Sequence, residues 1–449
     1  MTTNQSFFQS NTAKIIMVGL LTLVLLIPLQ YVKSLISERA HRQEGVINEI
    51  NNQWGSDIYF CGPILKVPYT TYTETKVTDE KTKKVSISRT VHTKYAYFFP
   101  EKLNIDSNVE TKPLHRNNYE TTVFNSEMNL KGNFIQPDFT DAEIAEKDIQ
   151  WEKATVVIRT NNNLKSIDGA INIKLNNKEY SFEPVYEENS RSLLTSLETK
   201  AIKSIDIAKS ITEFNMNISY KGSEELSIAP IGKVTQATVS SNWHTPSFGG
   251  NFIPGDKKIT DKGFTASWNI SQLNRPFTQQ SFGVLPTVRK YSFGVKFLIP
   301  VDEYQQNERA TKYGFLVIGL TFLIFFLIQS FSKINIHIFQ YTMIGLALIM
   351  FYTLLISITE HSSFQLAYII AGVSVVVMIG LYSISILKGI KFPLFIAISL
   401  SALYTFIYVI IQLENYALLV GSIGLFLILG AVMFVSRKID WNNTHKINS

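Results

Sequence analysis

IIMVGLLTLVLLIPLQYV, residues 15–32, runs without a single charged side chain. A bilayer core of about 30 Å needs roughly 20 apolar residues in a helix, so this stretch reads as a membrane span, with Pro28 a point where it can kink. The signature returns much later as YGFLVIGLTFLIFFLIQSF at 313–331, then at 336–358, 364–387, 393–413 and 416–435. One span alone and five in a cluster are expected.

Charge is partitioned accordingly. Of 78 formally charged residues in the 449-residue chain, 68 fall in the 280 residues of 33–312, and only five fall in 313–436. A wholly soluble protein is excluded. The net charge of +6 is not a nucleic-acid signature, because the middle segment holds 35 basic and 33 acidic residues. A nucleic-acid-binding domain gathers its cations on one face. No nucleic-acid partner is expected; the lipid bilayer is the partner that the composition names.

Lys14, Lys333, Lys388, Lys391, Arg437 and Lys438 flank alternate ends of the spans, whereas the remaining short loops carry Glu360 and Glu414 with no Lys or Arg. The positive-inside bias then places both termini in the cytoplasm and, by parity, the long insert outside, in a multi-pass membrane protein. No small-x-small cleavage site follows residue 32, so the first span reads as an uncleaved anchor. Residues 33–50 continue as a helix, with Glu38 and Arg42 at i,i+4.

Between 54 and 300, β-branched and aromatic residues alternate with polar ones, as at 85–93, 154–160, 170–175, 214–220 and 234–240, and these read as half-buried strands. Asn161-Asn162-Asn163 and Asn176-Asn177 read as turns. Stretches 141–147 and 191–210 read as helical pieces. The return to the membrane is marked by Pro300-Val301-Asp302, with Asp302 as a helix N-cap. The expected fold is a polytopic α-helical membrane protein with six transmembrane helices. A large β-rich, β-sandwich-like α+β extracytoplasmic domain is inserted between the first and second. Its boundaries are 1–36 for the N-terminus and first span, 37–312 for the extracytoplasmic domain, 313–436 for the five-span bundle and 437–449 for a cytoplasmic tail. The lone Cys61 permits no intramolecular disulfide.

Four blocks of residues carry a resemblance. The first comprises Ser37-Glu38-Arg39, Arg42-Gln43, Val46, Glu49, Trp54-Gly55, Gly62-Pro63-Ile64-Leu65 and Val67-Pro68-Tyr69. The second comprises Gly222-Ser223, Ala229-Pro230-Ile231-Gly232, Ser241-Asn242-Trp243, Pro246-Ser247-Phe248, Pro254, Gly263-Phe264, Trp268 and Asn274-Arg275. The third runs from Phe293-Gly294-Val295 through Pro300-Val301-Asp302, Tyr304 and Arg309-Ala310 to Lys312-Tyr313. The fourth holds Phe351-Tyr352, Ser357, Glu360-His361 and Tyr368. In this order they resemble the CreD family of inner-membrane proteins, associated with cell-envelope integrity. Gln329 stands where the family is expected to carry an acid, and His244 where a proline commonly follows the tryptophan. The resemblance implies a multi-pass protein of the bacterial inner membrane, with residues ~37–312 in the periplasm, and little mechanism.

Catalytic signatures are absent: no G-x-S-x-G elbow, Walker loop, H-E-x-x-H or C-x-x-C occurs. Ser330-x-x-Lys333 matches S-x-x-K only formally, the seven histidines have no metal-ligand spacing, and neither a metal site nor a cofactor is expected. Cys61 reads as a packing residue. Two candidate binding sites remain. In WHTPSFGG (243–250), Trp243, His244, Pro246 and Phe248 could form an aromatic shelf for a sugar or a protein, or simply core aromatics flanking a turn. Glu360 and His361, at the expected outer end of the third span, are either a helix-ending polar pair or a proton- or ligand-linked site. The leading functional reading is a non-enzymatic scaffold whose periplasmic domain engages an envelope protein or glycan. The alternative is a transporter or lipid-handling permease built on the five-span bundle. A sensor subunit and an envelope hydrolase stand behind these, and the oligomeric state is left open.

Reporter fusions test the topology. Fusions after Lys333, Lys391 and Lys438 are expected to behave as cytoplasmic, and fusions within 54–300 or after Glu360 as periplasmic; an active periplasmic reporter after Lys391 would overturn the six-span arrangement.

Overall fold

The boundary in charge is also a boundary in contacts. The computed structural model describes residues 11–78, 85–116, 119–161, 164–185, 194–202, 210–297, 303–332, 334–387, 389–413 and 416–437. Lys333, Lys388, Glu414, Lys438 and Pro300-Val301-Asp302, all used in the sequence reading, lie outside the described residues. The chain divides into a helical unit, of residues up to 45 and from 301 onward, and a β unit of residues 46–300.

Hydrocarbon leaves every backbone group to find its partner within the span, which a helix does alone. The helices are α1 (Asn11–Trp54), α2 (Glu303–Lys312), α3 (Gly314–Ser332), α4 (Ile338–Thr359), α5 (Phe364–Leu387), α6 (Lys391–Gln412) and α7 (Ala417–Ser436). Among the described residues, six helices (α1 and α3 to α7) are long and apolar enough to cross a membrane. On α1, Leu20, Leu23 and Ile27 point outward, while Leu25 and Leu29, one turn apart, are buried. Two glycines make room for them. A Cβ on Gly345 of α4 would lie 2.2 Å from Leu25 Cδ1, and one on Gly314 of α3 would lie 2.8 Å from Leu29 Cδ2. Small residues at such crossings let helices approach closely where no hydrophobic force drives them together.

The β unit holds, among the described residues, sixteen strands. The first eight are β1 (Ile58–Thr78), β2 (Val85–Phe98), β3 (Lys102–Arg116), β4 (Tyr119–Phe134), β5 (Thr155–Asn161), β6 (Asn172–Leu175), β7 (Lys178–Val185) and β8 (Leu194–Thr199). Then come β9 (Thr212–Ser223), β10 (Glu225–Ile228), β11 (Val234–Ser241), β12 (Ser247–Gly250), β13 (Asp256–Thr260), β14 (Gly263–Ser271), β15 (Gln280–Phe282) and β16 (Phe293–Lys296). They follow one path, β12-β16-β10-β1-β5-β8-β7-β6-β9-β4-β3-β11-β14-β13, with β2 on β1 and β15 on β2. The path folds at β7, whose first half pairs with β6 and whose second half pairs with β8. A strand that changes sheets makes the corner of a sandwich. Rings from the two legs meet inside it: Phe60 with Tyr220 at 6.4 Å, Phe124 with Phe297 at 5.0 Å and Trp268 with Phe293 at 5.1 Å.

Periodicity explains both legs. β3, β4, β9, β11 and β14 alternate one buried, one exposed residue, as a sheet with one wet face requires. β1 instead buries Ile58, Tyr59, Phe60, Cys61, Ile64, Leu65 and Val67 in near-continuous sequence, because it is an interior strand covered on both faces. The strands expected at 85–93, 154–160, 214–220 and 234–240 are found as parts of β2, β5, β9 and β11, that at 170–175 as β6, and Asn176-Asn177 as the β6–β7 turn, with Asn176 at φ +50°.

The two helical expectations in this segment are corrected. Leu194–Thr199, within 191–210, is strand β8, because it lies between β5 and β7 and both offer open backbone edges. Burial at Leu197 and Thr199 follows the two-residue period, so pairing overrides local helical tendency. Residues 191–193 and 203–209 lie outside the described residues. Stretch 141–147 meets only two short 3-10 turns, Thr140–Ala142 and Glu146–Asp148, since Phe139 and Ile149 are both drawn into the core and leave too little chain between them for a helix.

Cys61 is 2% exposed, and burial pushes its thiol up to about 11. A buried, protonated thiol is inert. Expressed alone, residues 46–300 should therefore give a β-dominated circular dichroism spectrum that is the same with and without reductant. Thiol reagents should react with Cys61 only after unfolding; a mainly helical spectrum or fast native labelling would contradict this arrangement.

Candidate functional site

Within the helical unit the first span is fastened at two heights. Lys14 Nζ donates to Asn335 Oδ1 at 2.8 Å, and 25 residues later Arg39 Nη1 lies 3.1 Å from Glu360 Oε1. At 1.5 Å per residue that interval spans about 37 Å, slightly more than the hydrocarbon thickness. The two polar fastenings thus fall where a helix crossing the membrane leaves it on either side, and Leu25 and Leu29 occupy their glycine notches between them. The Arg39–Glu360 side chains are 36% and 22% exposed, so the pair contributes on the order of 0.2–1 kcal/mol. That is too little to hold the helix and enough to fix its rotation.

Deeper in the bundle the interior is filled with rings. Phe351 of α4 lies 4.5 Å from Tyr404 of α6 and 5.2 Å from Tyr368 of α5, and Tyr368 lies 5.2 Å from Tyr408. The Tyr368 hydroxyl donates to the Tyr404 carbonyl at 2.8 Å, tying α5 to α6. Gln329, where the family resemblance anticipates an acid, accepts from the Tyr341 hydroxyl at 3.0 Å and ties α3 to α4. A neutral amide is well suited there, since Gln329 is buried and an ionised group so buried would be costly unless paired. Ser330, of the formal S-x-x-K, turns its hydroxyl back to the Phe326 carbonyl at 2.9 Å.

The paired residues Glu360 and His361 part company. Glu360 ends α4 and faces Arg39; His361 stands exposed in the following turn. In the β unit, Trp243 is half-buried, with its indole N–H donating to the Thr245 carbonyl at 3.1 Å and its ring 5.7 Å from exposed His244. Pro246 is half-buried, and Phe248 turns edge-on to Phe264 (5.6 Å) and Trp268 (6.0 Å). The turn therefore brings Trp243 and His244 together and sends Phe248 toward the core. Among the described residues, no group of three or more His, Cys, Asp or Glu is placed to hold a metal.

Several residues of the four blocks prove to be fastenings. Asn242 accepts from the Thr111 N–H and donates to the Thr111 carbonyl, at 2.8 and 3.0 Å. Buried Arg275 donates to the carbonyls of Phe277, Ile231 and Gly232 and to Gln279, and burial lowers its pKa to about 10. Gly55 passes so near Lys221 that a Cβ would lie 2.0 Å from its carbonyl oxygen, and Asn51, outside the blocks, donates to Glu224 at 2.7 Å. The residue missed in the sequence was Arg39. Its position just past the apolar run, on the same expected side as Glu360, was the available signal, obscured by the local Glu38–Arg42 pair, which is present but long at 3.9 Å and exposed.

A family model described as Inner membrane protein CreD matches residues 10–442. The chain is also 30% identical over 424 residues to the Inner membrane protein CreD of Escherichia coli strain K12, covering 93% of this chain and 91% of that protein.

Two substitutions separate rotation from packing of the first span. Arg39→Glu should lower thermal stability in detergent by ~0.2–1 kcal/mol, and adding Glu360→Arg should restore it; no recovery in the double variant would remove the pair from the account. Gly345→Leu should cost ~1–3 kcal/mol by overpacking the notch, a loss that no charge exchange repairs.

Proposed function

The chain belongs to the CreD family of inner-membrane proteins, and from that premise we propose that it is a non-enzymatic scaffold supporting cell-envelope integrity. Both termini lie in the cytoplasm and the β unit faces the periplasm, where it engages an envelope component. The family and the six apolar helices make the chain a multi-pass inner-membrane protein of the cell envelope.

The observation that carries the scaffold reading is the ring-packed interior between α4, α5 and α6. Phe351, Tyr352, Tyr368 and Tyr404 are all buried and packed ring on ring across α4, α5 and α6. A solute path needs a polar or water-filled lining at mid-depth; packed aromatic rings supply a rigid wall. The seating of Leu25 and Leu29 in the notches at Gly345 and Gly314 serves the same rigidity. No cofactor enters this reading.

One feature favours the second reading, a lipid-handling permease. An apolar cavity of about 770 Å³ opens between α3, α6 and α7, lined by residues such as Leu327, Phe331, Phe395, Phe406 and Leu427 and with Lys391 at one end. That volume and lining suit an acyl chain whose anionic headgroup meets a lysine.

Crosslinking in cells from photoreactive residues in the β unit, paired with reconstitution into liposomes, tests both. Envelope components captured by the β unit with no solute flux or lipid movement are expected. Flux or lipid exchange abolished by Phe406→Trp, which would narrow the cavity, would replace the scaffold with the permease.

A further inference from the structure

The wet face of the leg formed by β6, β9, β4, β3, β11 and β14 carries an ordered field of amides. Strand register sets Asn269, Gln236, Asn104, Lys131 and Asn215 side by side in one row. The next row reads Ser267, Thr238, Asp106, Asn129, Asn217 and Asn172. Neighbours in a row stand ~4.8 Å apart and rows ~6.8 Å apart along the strands. The middle of both rows floors a trough of about 700 Å³ lined by Asn104, Asn129, Asn215, Asn217 and Gln236, with one anion, Asp106, and one cation, Lys131.

The chain uses asparagine differently elsewhere. Asn51, Asn161 and Asn242 are each engaged by hydrogen bonds that fasten backbone or side chains. Among the described residues, the five trough amides make no hydrogen bond within the protein, and neither Asp106 nor Lys131 has an ion-pair partner. The face presents paired donors and acceptors with balanced charge.

We propose that this trough binds an N-acetylated glycan strand of the cell wall. Chemistry selects the occupant. Protein interfaces are anchored by buried aromatic and Arg side chains, and the outward side chains of these rows include none. A nucleic acid requires an excess of cations over its phosphates, and Asp106 offsets Lys131. A glycan carrying acetamido groups and hydroxyls offers the same mixture of neutral donors and acceptors that Asn and Gln present, each amide able to give and accept at once. The four strands that line the trough, β9, β4, β3 and β11, span ~14 Å, enough for two or three sugar rings laid across them. The inference deepens the scaffold reading and rests on the periplasmic placement of the β unit.

Co-sedimentation of the purified full-length protein in detergent with peptidoglycan sacculi tests it, with soluble N-acetylglucosamine hexamer as competitor. Retention of the wild type, relieved by the hexamer, is expected. The triple variant N104A/N129A/N217A should lose at least tenfold, with unchanged melting showing that the fold survives. Asn129→Asp, nearly isosteric, should lose at least threefold and keeps the test decisive if the triple variant fails to fold. Equal retention of both variants would overturn the trough as the site. A wild type that ignores sacculi while its β unit still crosslinks to an envelope protein would overturn the glycan and leave the scaffold standing; no retention and no crosslinks would bring down both.

Discussion

Lipid hydrocarbon offers no hydrogen-bond partner to a peptide group, and each unsatisfied group there costs several kcal/mol. That constraint sorts this chain. Segments crossing the bilayer must close their own backbone bonds, so α1 and α3 to α7 are helices whatever their individual propensities. Strands, which borrow partners from distant sequence, are confined to the insert between α1 and α3, and there they occupy nearly every described segment. The two units obey different solvents, and their side chains invert accordingly: apolar outward on α1 and α7, polar outward on β3, β4 and β9.

With little hydrophobic force to drive helices together in lipid, the helical unit relies on fit and on a few polar ties. Gly314 and Gly345 create the fit for α1. Tyr341 to Gln329 and Tyr368 to the Tyr404 carbonyl are ties between neighbouring helices. The β unit reaches the same end by the opposite route, with a large aromatic core and its polar fastenings set around that core's rim, as Asn242 and Arg275 illustrate.

Much of this was legible in sequence because it rests on composition and period. Apolar runs of span length and two-residue alternation in 214–220 or 234–240 need no tertiary information. Leu194–Thr199 was not legible, because its state is decided by two strand edges that flank it only in three dimensions. The Arg39–Glu360 pair joins residues 321 positions apart, and nothing local distinguishes Arg39 from Arg42. In the WHTPSFGG turn the aromatic content was plain, but the direction of Phe248 depends on Trp268 and Phe264 of β14. Residues of the resemblance such as Asn242 and Arg275 act as fastenings, and their partners are set by the fold.

The strand order also governs when this protein can fold. β1 lies beside β10 in parallel, and β10 lies beside β16, whose register matches Glu225 to Lys296. The interior strand of the sandwich thus waits for a partner made 168 residues later, and that partner waits about 70 residues more for its own. Long-range pairing of this kind closes slowly and leaves strand edges open meanwhile. The insert cannot complete its core until almost all of it has been synthesised, just before the apolar stretch of α3 emerges. Folding of such a chain is a race between strand pairing and aggregation, decided by whatever shelters the open edge of β1 during that interval.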